Sequence, residues 1–135
     1  MIERLLIAVG IMTLGAVVWI ILNRLNLRRI GAQANADPLL ESLRPGVPVV
    51  VYFTTPFCAP CRAQQQPALK ALEHEMGDQV QVIKVDAVER PEVADRWGVF
   101  SAPTTFILDG HFHPRHVNRG VATAEVLKRQ IQTVA

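Results

Sequence analysis

The stretch from Leu5 to Leu22, LLIAVGIMTLGAVVWIIL, holds eighteen residues without a charge. As an α-helix it extends about 27 Å, close to the hydrocarbon thickness of a bilayer. What remains of a 135-residue chain is too small to surround such a helix on every side, so a buried core helix fits poorly. A cleaved signal peptide is the rival reading, because Ala32, Ala34 and Ala36 in GAQANA have the small-residue spacing of a cleavage site. The length of the apolar run and the arginine-bearing NRLNLRRI that follows it favour a retained anchor. The chain therefore divides into a membrane anchor at 1–24 that spans the bilayer through residues 5–22, a polar tether at 25–36, and a domain at 37–135.

That division also explains the net charge of +2. Up to Ala36, Arg4, Arg24, Arg28 and Arg29 stand against Glu3; from Asp37 onward ten Lys and Arg face eleven Asp and Glu. The excess positive charge belongs to the anchor, and the domain has no basic stripe for nucleic acid. Arg24, Arg28 and Arg29 follow the span while only Arg4 precedes it, which leans toward a single-pass protein with its domain on the cytoplasmic side.

Within the domain, Asp37-Pro38 has the pattern of an N-cap followed by proline at the first helical position, opening a short helix to about Leu43. VVVYF at 49–53 is β-branched and aromatic without polar alternation, the pattern of a strand covered on both faces. A helix is expected from about Cys58 to Met76, with Leu69 and Leu72 on its apolar face, a kink at Pro67 and a stop at Gly77. Then come a strand over 80–86, a helix from Pro91 to about Trp97, the strand TTFIL, a turn at Asp109-Gly110, a hairpin partner through Val117 and a last helix opening at Thr123. The order αβαβαββα gives an α/β fold.

Cys58 and Cys61 are the only cysteines, one helical turn apart at the start of the helix after the first buried strand. Three chemistries use such a pair: half of a zinc site, a structural staple, or a redox couple. Zinc needs two more ligands. His74 has no second His or Cys within the next few residues, and His111, His113 and His116 sit in a turn and strand where solvent exposure is the simpler expectation. A helix N-terminus would favour the thiolate at Cys58, and Cys61 one turn deeper could attack a mixed disulfide formed there. Pro60 is compatible with a first helical turn.

From Leu39 to Val134 the sequence resembles the thioredoxin family. The resemblance rests on CAPC after an apolar strand, Pro67 in the next helix, Lys84 in the next strand, WGVFSAPTTFILDG with its proline 42 residues past Cys61, and Gly120 before the last helix. It implies a thioredoxin fold, a central mixed sheet flanked by helices, here preceded by one transmembrane helix. It further implies a thiol-disulfide oxidoreductase acting through a mixed disulfide, with Cys58 attacking and Cys61 resolving. Phe57, Ala59 and Pro60 would support the pair, and Ala102, a cis Pro103 and Thr104 would meet substrate. The redox-active Cys58–Cys61 disulfide would serve in place of a cofactor, with no metal, and the partners would be protein disulfides and an electron-donor reductase.

Some positions depart from that pattern. Phe57 stands where tryptophan is usual and Ala59 where glycine is usual. Tyr52 occupies the position of a buried aspartate that takes the resolving thiol's proton, leaving Lys84 without its usual neighbour. A phenol with an ordinary pKa of about 10 is a poor base near neutrality, so slower resolution is expected. The single glycine in NRGVATAE argues against glutathione binding of the glutaredoxin kind, and the 42-residue interval leaves no room for the insertion of cytochrome c maturation reductases. Both stay as alternatives, as does a non-catalytic tethered scaffold. Ala-Pro between the cysteines resembles the Gly-Pro of reducing thioredoxins, which points to a reductase.

Overall fold

The computed structural model describes residues 1–34 and 37–135, with 30–34 described by backbone alone. Helix α1 runs Ile2–Ala34. The segment 25–36 is thus no irregular tether as far as Ala34; Asn35 and Ala36, and with Ala36 part of the cleavage-site pattern, lie outside the described residues. Leucine, arginine and alanine are strong helix formers, and extending an existing helix avoids the cost of nucleation. Ile2–Arg29 has the length and composition to cross a membrane, and the side chains of the apolar run are exposed throughout.

The domain opens with a single 3-10 turn, Pro38–Leu40. Strands β1 (Val49–Thr54), β2 (Gln81–Asp86), β3 (Thr104–Leu108) and β4 (Pro114–Arg119) follow. Helices α2 (Gln66–Met76), α3 (Pro91–Arg96) and α4 (Ala124–Val134) lie between and after them. The sheet order is β2-β1-β3-β4, with β1 parallel to β2 and antiparallel to β3. β1 is buried at every position. Val49, Val51 and Phe53 join a core with Trp97 and Phe106, while Val50 and Tyr52 join the opposite core with Leu69, Leu72, Leu127 and Ile131. This two-sided cover is why β1 reads as an unbroken apolar run.

Pro67 acts on the helix before it. A five-residue π-turn, Cys61–Gln65, precedes α2, and the Gln66 N–H reaches back to the Cys61 carbonyl. Proline lacks an N–H and crowds the carbonyl four residues earlier, so the chain widens where a regular ladder cannot close.

Asp37 fastens the domain's entrance. Its carboxylate accepts from the Leu39 N–H at 3.0 Å, the Trp97 indole at 2.9 Å and the Arg96 guanidinium at 3.1 Å. Burial alone would raise its pKa, but these donors outweigh burial and hold the carboxyl below its ordinary value. Asp109 behaves alike: burial opposes ionisation, while the His113 and His111 N–H groups and Arg115 more than offset it. Elsewhere the Gly46 N–H donates to the Gly110 carbonyl at 2.9 Å, and a Cβ on Gly110 would stand 2.9 Å from the Gly46 Cα.

Two outcomes are expected in thermal or urea unfolding of the detergent-solubilised protein. Both aspartates have lowered folded pKa values, so their stabilisation is complete above the ordinary carboxylate range and is lost as pH falls through the folded values. Asp37→Ala should therefore cost about 2–4 kcal/mol at pH 7, and the deficit should shrink in acid. Gly110→Ala should cost about 1–3 kcal/mol at any pH, because backbone rather than a flexible side chain blocks the new methyl.

Candidate active site

β1 ends at Thr54, and a turn through Pro56 and Phe57 delivers Cys58 to the start of the helix that begins at Ala59. The Cys58 N–H donates to the Thr55 carbonyl at 3.3 Å, and the Cys61 N–H donates to the Cys58 sulfur at 3.2 Å. Cys58 therefore caps the helix with its own sulfur. An N–H directed at that atom from a helix N-terminus favours the thiolate when the pair is reduced. The two cysteines form a disulfide with their Cα atoms 5.3 Å apart. Cys58 is 8% exposed and Cys61 is 0% exposed, so of the two sulfurs only that of Cys58 is open to solvent.

An open groove of about 570 Å³ runs beside Cys58. Phe57, Ala59 and Pro60 form one side, and Val99, Phe100 and Ala102 contribute to the other. Its rim is apolar and solvent-facing, with Phe57 90% and Phe100 89% exposed. Asp95 is the charged residue that lines it. Arg62, next to the pair, is directed to the Pro56 carbonyl.

Most of the residues proposed from sequence meet here. Phe57, Cys58, Ala59, Pro60 and Ala102 line the groove. The Ala102–Pro103 peptide is cis. Pro103 is buried, and its carbonyl accepts from the Gly120 N–H at 2.8 Å. Thr104 is also buried, with its hydroxyl donating to the Ser101 carbonyl at 2.6 Å, so its side chain supports the loop instead of facing the groove.

Tyr52 and Lys84 lie elsewhere. They are register partners on β1 and β2 and line a separate cleft of about 220 Å³ with Lys70 and Glu73. Tyr52 packs in the same core as both cysteines, and its buried hydroxyl has no hydrogen-bond partner among the described residues. Lys84 is exposed.

Sequence reading missed Gln65. This side chain is fully buried, donates to the Ala122 carbonyl at 3.1 Å and accepts from the Ala122 N–H at 2.8 Å. It ties the turn carrying Cys61 to the loop before α4. Within RAQQQ it looks like one of three surface amides, and the partner that gives it meaning is 57 residues away. Among the described residues, no group of three or more His, Cys, Asp or Glu side chains is arranged to hold a metal.

Comparison with known proteins agrees with this geometry. A family model described as thioredoxin matches residues 34–133. Thioredoxin 1 of Synechococcus elongatus is 40% identical over 68 residues, covering 50% of this chain and 63% of that protein. The thioredoxin of Bacillus subtilis is 40% identical over 60 residues, covering 44% of this chain and 57% of its own length. The chain thus matches less than two thirds of the length of these relatives. Among solved structures, a malaria-parasite thioredoxin-2 aligns with a TM-score of 0.61 at 22% identity, covering 64% of this chain and 82% of that one, a likeness of fold. Since the matched span takes in every strand of the sheet together with the cysteine-bearing turn and the helices around it, the chain belongs to the thioredoxin family.

Proposed function

We propose that this protein is a membrane-tethered thiol-disulfide oxidoreductase that reduces protein disulfides. The observation that carries the reading is the asymmetry of the pair: Cys58 caps a helix at the edge of a groove, and Cys61 is buried beneath it. In the reduced protein the Cys58 thiolate attacks one sulfur of a substrate disulfide. A Cys58–substrate disulfide forms, and the other substrate sulfur leaves as a thiolate that takes up a proton. Cys61 loses its proton and attacks the Cys58 sulfur, closing the Cys58–Cys61 disulfide and releasing the second substrate thiol. Two electrons pass from the pair to the substrate, and an external dithiol, the electron-donor reductase, restores the pair. No other cofactor enters the cycle.

The direction follows from what surrounds the thiolate. A strongly oxidising pair stabilises its reduced form. Among the described residues no Lys, Arg or His lines the groove beside Cys58, Asp95 stands in its wall, and the guanidinium of Arg62 beside the pair is directed to the Pro56 carbonyl. Ala59 and Pro60 add no charge. The dithiol form gains little beyond the helix terminus, which supports a reductase. The apolar rim suits an unfolded or extended substrate segment, and Ala102, just ahead of β3, is placed to meet its backbone. The apolar part of α1 serves as a retained span, and Arg24, Arg28 and Arg29 on its flank favour a cytoplasmic domain.

Insulin reduction by the full-length protein in detergent, with dithiothreitol as donor, tests the roles. Cys58→Ser should lose activity to the uncatalysed level, whereas Cys61→Ser, pre-reduced and freed of dithiothreitol, should perform the first attack and accumulate a substrate adduct visible by mass. Full activity in Cys58→Ser would support the scaffold reading instead. Tyr52→Phe removes a hydroxyl with no partner, so its melting temperature should hold or rise and its turnover should stay within about twofold. A large loss of turnover would give the phenol a part in resolution.

A further inference from the structure

The apolar run of α1 ends at Leu22, and the next turns carry Asn23, Arg24 and Asn26, which belong at headgroup level if residues 5–22 cross the bilayer. Strand β4 lies against this part of the helix. Asn23, Asn26 and Leu27 share a cleft of about 420 Å³ with Arg115, Val117 and Arg119 of β4. Arg119 also reaches the other way. Its guanidinium donates to the Gly98 carbonyl at 3.4 Å and sits 5.9 Å from the centre of the Phe100 ring. Phe100 is the exposed aromatic rim of the groove beside Cys58. Arg119 therefore borders both the active-site rim and the cleft shared with the helix turns at the membrane surface.

Resting on the proposed activity and on α1 as a retained span, we infer that the groove is held at the headgroup layer and that its substrate is a disulfide in the juxtamembrane segment of another membrane protein. The surface composition fits that placement. Phe57, Phe100 and Val88 expose apolar groups around the groove. Arg24, Arg28 and Arg29 stand on the adjoining helix turns, with Arg119 on the neighbouring strand, and such a basic cluster is attracted to anionic headgroups. A groove held there meets a juxtamembrane disulfide at high effective concentration and meets one carried far from the bilayer only rarely. The chemistry is the exchange already described: two electrons pass from the pre-reduced Cys58/Cys61 pair to the substrate disulfide, which leaves as two thiols.

The test uses the full-length protein, reduced with dithiothreitol, freed of it and reconstituted into phosphatidylcholine vesicles containing phosphatidylserine. The probes are two synthetic single-span peptides, each with one internal disulfide. One peptide carries it directly after the span; the other carries it beyond a Gly/Ser linker of about 30 residues, roughly 30 Å farther out. Soluble insulin is the third substrate. The juxtamembrane disulfide should be reduced at least about tenfold faster than the displaced one. In a variant with about ten Gly/Ser residues inserted between Leu22 and Asn23, which frees the helix turns under β4 together with the domain from the span, the ratio should fall below about twofold while insulin reduction is unchanged. Equal rates in the unmodified protein, faster reduction of the displaced disulfide, or a ratio that survives the insertion would overturn the inference. Slowing of all three substrates on moving from detergent to vesicles would overturn it too, by showing that lipid itself covers the groove. If insulin is not reduced under any condition, the oxidoreductase reading falls and this inference with it.

Discussion

The contact on which the site depends is the one between the Cys61 N–H and the Cys58 sulfur. It exists because a helix begins one residue after Cys58, and the helix begins there because β1 ends four residues before that cysteine. β1 in turn is fixed by burial on both faces, with Phe53 against Trp97 and Phe106 on one side and Tyr52 over the cysteine core on the other. A sulfur at the end of a strand buried on both sides has little freedom to move away from the backbone dipoles that favour its thiolate. Gln65 adds a second fastening, binding the turn that carries Cys61 to Ala122.

The same framework makes the two cysteines unequal. They share a helical turn, but Cys58 stands at the groove edge and Cys61 faces the core of Leu69, Leu72 and Leu127. In the proposed cycle the order of attack then needs no separate control, because one sulfur is open to solvent and the other lies buried below it. Tyr52 makes this core drier than a carboxylate would. Its ring belongs to the core that holds both cysteines, its hydroxyl pairs with nothing among the described residues, and it lines a cleft with Lys84 and Glu73 that is separate from the groove beside Cys58.

Those parts of the molecule that follow from local pattern were legible in the sequence. The unbroken apolar character of 49–53 located β1, Asp37 and Thr123 marked caps that the structure shows accepting from the Leu39 and Val126 N–H groups, and Gly77 ended α2. The cis Ala102–Pro103 bond also followed from the resemblance. What escaped depends on distant partners. Asp37 read as a cap but also gathers Arg96 and Trp97, and Gln65 has its partner in another element. The helical extension to Ala34 was missed because 25–34 lacks an apolar period, although a helix already under way needs no such stripe to continue.

The central claim is that Cys58 and Cys61 form a reversible, reducing two-electron couple, and the equilibrium reduction potential of the full-length protein in detergent addresses it most directly. Dithiothreitol and glutathione buffers should give a single two-electron transition near the thioredoxin value of about −270 mV. A transition near about −120 mV would reverse the direction and make the protein a disulfide donor. The absence of any reversible transition would contradict the account altogether and leave the pair as a structural staple.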